Sequence, residues 1–204
     1  MENKKTLRNY LFTPFRYIAG VKSLIYGGIV LLLLSGLSYQ TQTVFDGVLD
    51  IHYGCWTDPD SYLILLACLL ISWISIVLVL YFAARIFSPS TIRLVDIAGT
   101  TALAKFPLIF AALWGFFPFV HLCLDETMTL SSLNELVAYR IGELTLTFLV
   151  LIPFVAWNLV LTYNAFSVSA NLKGKKGILL FIIGIIVGEI ISKALIYGMI
   201  LIMK

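Results

Sequence analysis

The sequence predicts an all-α polytopic membrane protein with five transmembrane helices, the N-terminus in the cytoplasm and the C-terminus outside. Three observations predict it. Of 204 residues, 60% are hydrophobic and only 12% are charged, half the charge of an ordinary soluble domain, and mean hydropathy is +0.99. Five apolar runs reach the length of about 20 residues that a bilayer core of about 30 Å requires. Lys and Arg concentrate in alternate connections. The same numbers exclude a soluble globular or disordered chain, and 14 Gly, 6 Pro and 3 Cys exclude collagen-like, low-complexity and disulfide-scaffold classes.

The runs follow in order. The first covers Ile18–Tyr39, the second Tyr62–Ala84, the third Ala102–Leu124, the fourth Leu144–Phe166 and the fifth Ile178–Met203. Residues 1–17 are a short cytoplasmic segment and residues 18–204 a single five-helix domain. The runs are continuous, whereas barrel strands alternate, so helices are expected. Leu24–Leu34 with Gly36 and Ser38 has the outline of a cleavable signal peptide, but the preceding segment is long and the apolar run extends back to Ile18; we read it as a retained span.

Orientation comes from charge. Of 14 Lys and Arg, 11 fall on one side: Lys4, Lys5, Arg8, Arg16 and Lys22 at the start, Arg85, Arg93 and Lys105 between the second and third spans, and Lys173, Lys175 and Lys176 between the fourth and fifth. The opposite side carries Asp46, Asp50, Asp58 and Asp60 in one loop and Asp125, Glu126, Glu135 and Glu143 in the other, with Arg140 and Lys204. The positive-inside rule places the N-terminus in the cytoplasm.

Ionisable residues inside a span are functional candidates by default, because their desolvation is costly. Glu189 and Lys193 lie four residues apart on one face of the fifth span, with Tyr197 a turn further. Two readings stand: a substrate or proton site facing the bundle interior, or a self-neutralising ion pair that fixes helix rotation. Asn158 and Thr162 share a face of the fourth span and are expected to bond across helices. Gly184 and Gly188 form a small-xxx-small pair that lets another backbone approach, in the same chain or in a second copy. Pro107, Pro118 and Pro153 are expected to bend their spans.

The outer loops hold His52, Cys55, Asp58, Asp60, His121, Cys123, Asp125 and Glu126 without metal-ligand spacing, so we expect solvated acidic loops and no metal or other cofactor. Cys55 and Cys123 share the side where disulfides persist, and a bridge between them is open. There is no Walker A loop, Gly-x-Ser-x-Gly elbow or His-Glu-x-x-His helix. Scattered basic residues give no nucleic-acid footprint.

The stretch Arg93–Leu108 reads Arg-Leu-Val-Asp-Ile-Ala-Gly-Thr-Thr-Ala-Leu-Ala-Lys-Phe-Pro-Leu. With its Asp96, Gly99, Thr100, Ala104, Lys105 and Pro107, and with Phe12-Thr-Pro-Phe-Arg16 before the first span, it resembles the corresponding connection of bacterial members of the Yip1-domain family. The five-span, N-inside layout resembles that family over nearly the whole chain. The resemblance implies a non-catalytic membrane protein of the bacterial cytoplasmic membrane. Eukaryotic members act in vesicle transport with Rab-type GTPases. This chain lacks their long N-terminal region and their Asp-Leu-Tyr-Gly-Pro motif, so that role does not carry over. Physically, Asp96 suits a helix N-cap, Gly99 a turn or close packing, and Lys105 a side chain that snorkels to the cytoplasmic surface. The expected function is a non-enzymatic membrane-organising or protein-interaction role, with the lipid bilayer and a membrane protein, unidentified or a second copy, as partners. The competing expectation is a small transporter or channel using the Glu189/Lys193 face.

Overall fold

The computed structural model describes residues 11–54, 61–121 and 129–203. Cys55 and Cys123, with Asp58, Asp60, Asp125 and Glu126, lie outside the described residues. Five helical spans are long and apolar enough to cross a membrane: 20–41, 62–87, 94–114, 141–169 and 174–202. They belong to helices α1 (Gly20–Thr41), α2 (Ser61–Phe87), the broken pair α3 (Leu94–Ala104) and α4 (Leu108–Trp114), α6 (Ile141–Ser169) and α7 (Gly174–Met203). Between the fourth and fifth elements of that series lies a short helix, α5 (Leu130–Tyr139). The described sheet is one two-residue ladder, β1 (Thr43–Val44) antiparallel to β2 (His52–Tyr53).

The third span corrects the expectation. It starts at Leu94 instead of Ala102 and ends at Trp114. The polar residues at its start ride inside the helix because their hydroxyls bond back to its own carbonyls: Thr100 Oγ1 to Asp96 O at 2.6 Å and Thr101 Oγ1 to Ile97 O at 2.7 Å. Arg93 precedes the first helical turn, and Asp96 sits within that turn, paired with Arg93 at 2.9 Å. Asp96 therefore complements the helix dipole instead of capping. Beyond Trp114 the chain tightens into a single 3-10 turn at Pro118–Val120.

Helix α3 is the hub, packing on α1, α2 and α6. Its crossing with α1 rests on two glycines. A Cβ on Gly27 would stand 2.6 Å from the Ala102 Cβ, and one on Gly99 would stand 2.5 Å from the Leu24 backbone nitrogen. Helices α2 and α7 pack similarly: a Cβ on Gly184 would meet Leu80 Cδ2 at 2.8 Å, and one on Gly188 would meet Ile76 Cδ1 at 3.2 Å. The small-xxx-small pair thus faces another helix of its own chain. Buried Val48, Ile76, Leu80, Ile97, Phe166 and Ile185 form the largest apolar core cluster.

The segment joining α3 to α4 makes only short-range bonds, Phe106 N to Leu103 O and Leu108 N to Lys105 O. Pro107 has no N–H to continue the α-helix, so the ladder opens. The Ala104 carbonyl accepts from Asn158 Nδ2 of α6 at 3.3 Å. That cross-helix bond is the partner a membrane-buried carbonyl requires.

Candidate functional site

In its described residues, 42–54, the loop between α1 and α2 is not a solvated acidic loop. Its ladder turns the chain back into the bundle, and residues 45–51 form the tip. Ser72 Oγ of α2 donates to Phe45 O at 3.0 Å, Val48 lies against Gly188, and Leu49 N donates to Glu189 Oε2 at 2.9 Å. At about 1.5 Å per residue, Ser72 is about 16 Å from the start of α2 and Glu189 about 21 Å from the end of α7. The tip is therefore a re-entrant hairpin reaching the middle of the membrane-spanning helices. Irregular backbone at that depth survives only when buried in protein or lining a cavity. Here Val44, Phe45 and Val48 are buried, and side chains of α2 and α7 bond the Phe45 carbonyl and the Leu49 N–H.

The Glu189–Lys193 pair also needs correcting. The two side chains share α7 but not each other. Glu189 accepts from the hairpin backbone, and Gly47 lies so close that a Cβ there would stand 2.8 Å from the Glu189 Cδ. Lys193 instead reaches two hairpin carboxylates, bonding Asp50 Oδ2 directly and lying 3.2 Å from Asp46 Oδ2. The ring of His52 completes the group, with Nδ1 at 3.5 Å from Asp46 Oδ1 and 3.9 Å from Asp50 Oδ1. The hairpin positions two carboxylates toward one lysine, so they share one ammonium, with His52 beside them.

The electrostatics follow. The neighbouring His52 ring and the Lys193 ammonium hold the Asp50 carboxyl well below the usual carboxylate range, against its partial burial. The Asp50 carboxylate, with Asp46 adding, raises His52 above its ordinary value. Burial pushes the Tyr53 phenol up, and its hydroxyl donates to Ala111 O at 2.6 Å, fixing the hairpin base to α4. Donor atoms of Asp46, Asp50 and His52 lie within 4.8 Å of one another, a spacing compatible with a cation. The Lys193 ammonium already supplies positive charge there.

Beside this cluster, a cavity of about 390 Å³ runs between the hairpin and α6, lined by Leu49, Asp50 and Ile51 on one side and Phe148, Leu151 and Ile152 on the other. Its polar group is Asp50, whose side chain is 41% exposed.

The other expected residues separate. Tyr197 is 66% exposed and stands outside the cluster. Asn158 serves the helix break instead of the charged group. Lys105 does not snorkel. It is 4% exposed, because it follows directly on a helix whose residues 99–102 and 104 are buried, and not on a surface loop. Thr100 contacts Ser169 Oγ of α6 at 3.2 Å. His121 places both ring nitrogens against carbonyls, those of Gly54 at 2.9 Å and Gly115 at 2.8 Å. Sequence reasoning missed Asp46 and Asp50 as partners of Lys193. The available signal was Val44, Phe45, Val48, Leu49 and Ile51, more apolar residues than a solvated loop needs. A scan against protein-family models, a search of curated proteins and a search of solved structures each found no match for this chain.

Proposed function

We propose that this chain is a non-enzymatic multi-pass membrane protein, resembling the Yip1-domain family, that acts by contacting other membrane components. Its N-terminus lies in the cytoplasm and its membrane is the bacterial inner membrane. One observation carries the reading: both charges of the last span, Glu189 and Lys193, are spent on holding the chain's own hairpin. Glu189 is bonded to Leu49 N, and Lys193 to Asp46 and Asp50. A translocation site needs groups able to exchange partners, whereas these fasten one segment to one helix. The contacting surface is then the outer face of α7, where Ile182, Ile186 and Ile190 are exposed.

A photo-crosslinking side chain placed at Ile186 or Ile190 in living cells tests this. Discrete adducts with a membrane protein, or with a second copy of the chain, are expected. Adducts with lipid alone at both positions would contradict the reading.

The alternative, a small transporter or channel, has one observation in its favour: half-exposed Asp50 faces the cavity beside α6. Proton or cation flux in proteoliposomes above that of empty vesicles, abolished by Asp50→Asn, would favour it.

A further inference from the structure

On the basic side of the molecule, the chain preceding α1 is strapped across α6. Trp157 Nε1 donates to Leu11 O at 3.0 Å and Asn164 Nδ2 to Phe12 O at 2.8 Å. Two cavities flank this strap. One, of about 520 Å³, is lined by Thr13, Arg16, Asn164, Asn171 and Lys173 together with neighbouring residues of α6. It holds two cations and no carboxylate among its described lining residues, and no ion pair among the described residues engages either cation. The other, of about 180 Å³, is lined by apolar and aromatic side chains, among them Leu11, Pro14, Ile18, Phe106, Trp157 and Leu161.

The strap and α6 border both cavities. Trp157 and Asn164 are two helical turns apart on the same face of α6, so the apolar cavity lies about 10 Å deeper in the bundle than the cationic one. A cationic pocket at the membrane surface with an apolar cavity beneath it matches an amphiphile with an anionic head. A free anion would leave the deeper cavity unused.

We propose that this pair of cavities seats one anionic glycerophospholipid, its phosphate on Arg16 and Lys173 and the first part of an acyl chain against Pro14, Ile18 and Trp157. Basic pockets between helices are favourable sites for acidic headgroups, and each cation near the surface favours an anionic over a zwitterionic headgroup. This site lies toward the opposite end of the spans from the Lys193 cluster, and its test is independent of the proposed function.

The experiment is native mass spectrometry of the full chain in mild detergent. The probes are phosphatidylglycerol and phosphatidylcholine with identical acyl chains, and sn-glycerol 3-phosphate and inorganic phosphate as chain-free competitors. Wild type should retain phosphatidylglycerol about 30-fold better than phosphatidylcholine, the product of two surface cations. The preference should fall close to parity in R16A/K173A, survive in R16K/K173R, and resist both chain-free competitors at millimolar concentration. Parity in wild type would overturn the proposal, and that comparison stands whether or not the variants fold. An unchanged preference in well-folded R16A/K173A would overturn it as well. Displacement of the lipid by inorganic phosphate would show a free-anion site instead.

Discussion

At the scale of single residues, partners decide what each intramembrane charge does. Glu189 serves as an acceptor for Leu49 N. Glu189→Gln keeps an acceptor oxygen and should cost about 1 kcal/mol, while Glu189→Leu strands a buried N–H and should cost about 2–3 kcal/mol. Lys193→Met leaves Asp46 and Asp50 facing each other without an ammonium. Because Lys193 and Asp50 are each about 40% exposed, the expected cost is about 2 kcal/mol, between the surface and buried limits. Thermal unfolding in detergent reads all three. Since Glu189 and Lys193 hold different groups of one hairpin, the double change to Leu and Met should cost at least as much as the worse single change; a rescue below that single would mean they pair with each other after all. The pH dependence has a definite sign. His52 is raised, so its contribution is complete below its ordinary 6.5 and disappears as pH rises through the native value. Asp50 is lowered, so its contribution is present above its ordinary 3.8 and disappears only in stronger acid. The hairpin is held best between these limits, and the melting temperature should fall on going from pH 6 to pH 8.5 in wild type but not in His52→Gln. The sequence placed Glu189, Lys193 and His52 among the candidates. It concealed their grouping, since Asp46 and Asp50 lie about 140 residues from Lys193, and an acidic stretch between spans reads as solvated until the apolar residues within it find a core.

At the scale of elements, the long apolar runs were legible because a bilayer imposes length and continuity together. The second run, expected at Tyr62–Ala84, is helical over Ser61–Phe87. The third was displaced because Asp96, Thr100 and Thr101 look like loop residues, yet the hydroxyls are absorbed by the helix backbone. Periodicity could not mark Gly27 as the contact point and Gly28 as open, because that depends on how α3 crosses α1. Gly27→Ala meets Gly99 O and Leu103 N at 2.8 Å and cannot be relieved by a rotamer change; a loss of about 1–3 kcal/mol is expected. Gly28→Ala has nothing within 4 Å and should be neutral or gain up to about 1 kcal/mol from helix propensity. Equal effects at the two positions would mean that the α1–α3 crossing is wrong. At the helix break, Asn158→Ala removes the donor to Ala104 O and should cost about 1–3 kcal/mol, whereas Asn158→Asp, lacking an amide donor, should not restore it.

At the scale of the whole molecule, five spans enclose a hairpin that does not cross. The loop charges predict its orientation: a cysteine replacing Glu143 should react with a membrane-impermeant thiol reagent on intact cells, and one replacing Lys175 should not. The reverse pattern would invert the topology. The central claim is that residues 43–53 fold back to mid-membrane and rest on the last helix. The most direct measurement is thiol cross-linking of Val48→Cys with Gly188→Cys in a chain whose native cysteines are serine. A Cβ on Gly188 stands 3.4 Å from Val48 Cγ2, within the reach of a disulfide or a single mercuric ion, and neither substitution removes a charge of the clasp. Cross-linking in most molecules is the predicted result. No cross-link, with position 48 freely labelled by an impermeant maleimide from outside, would place the loop in water and contradict the account.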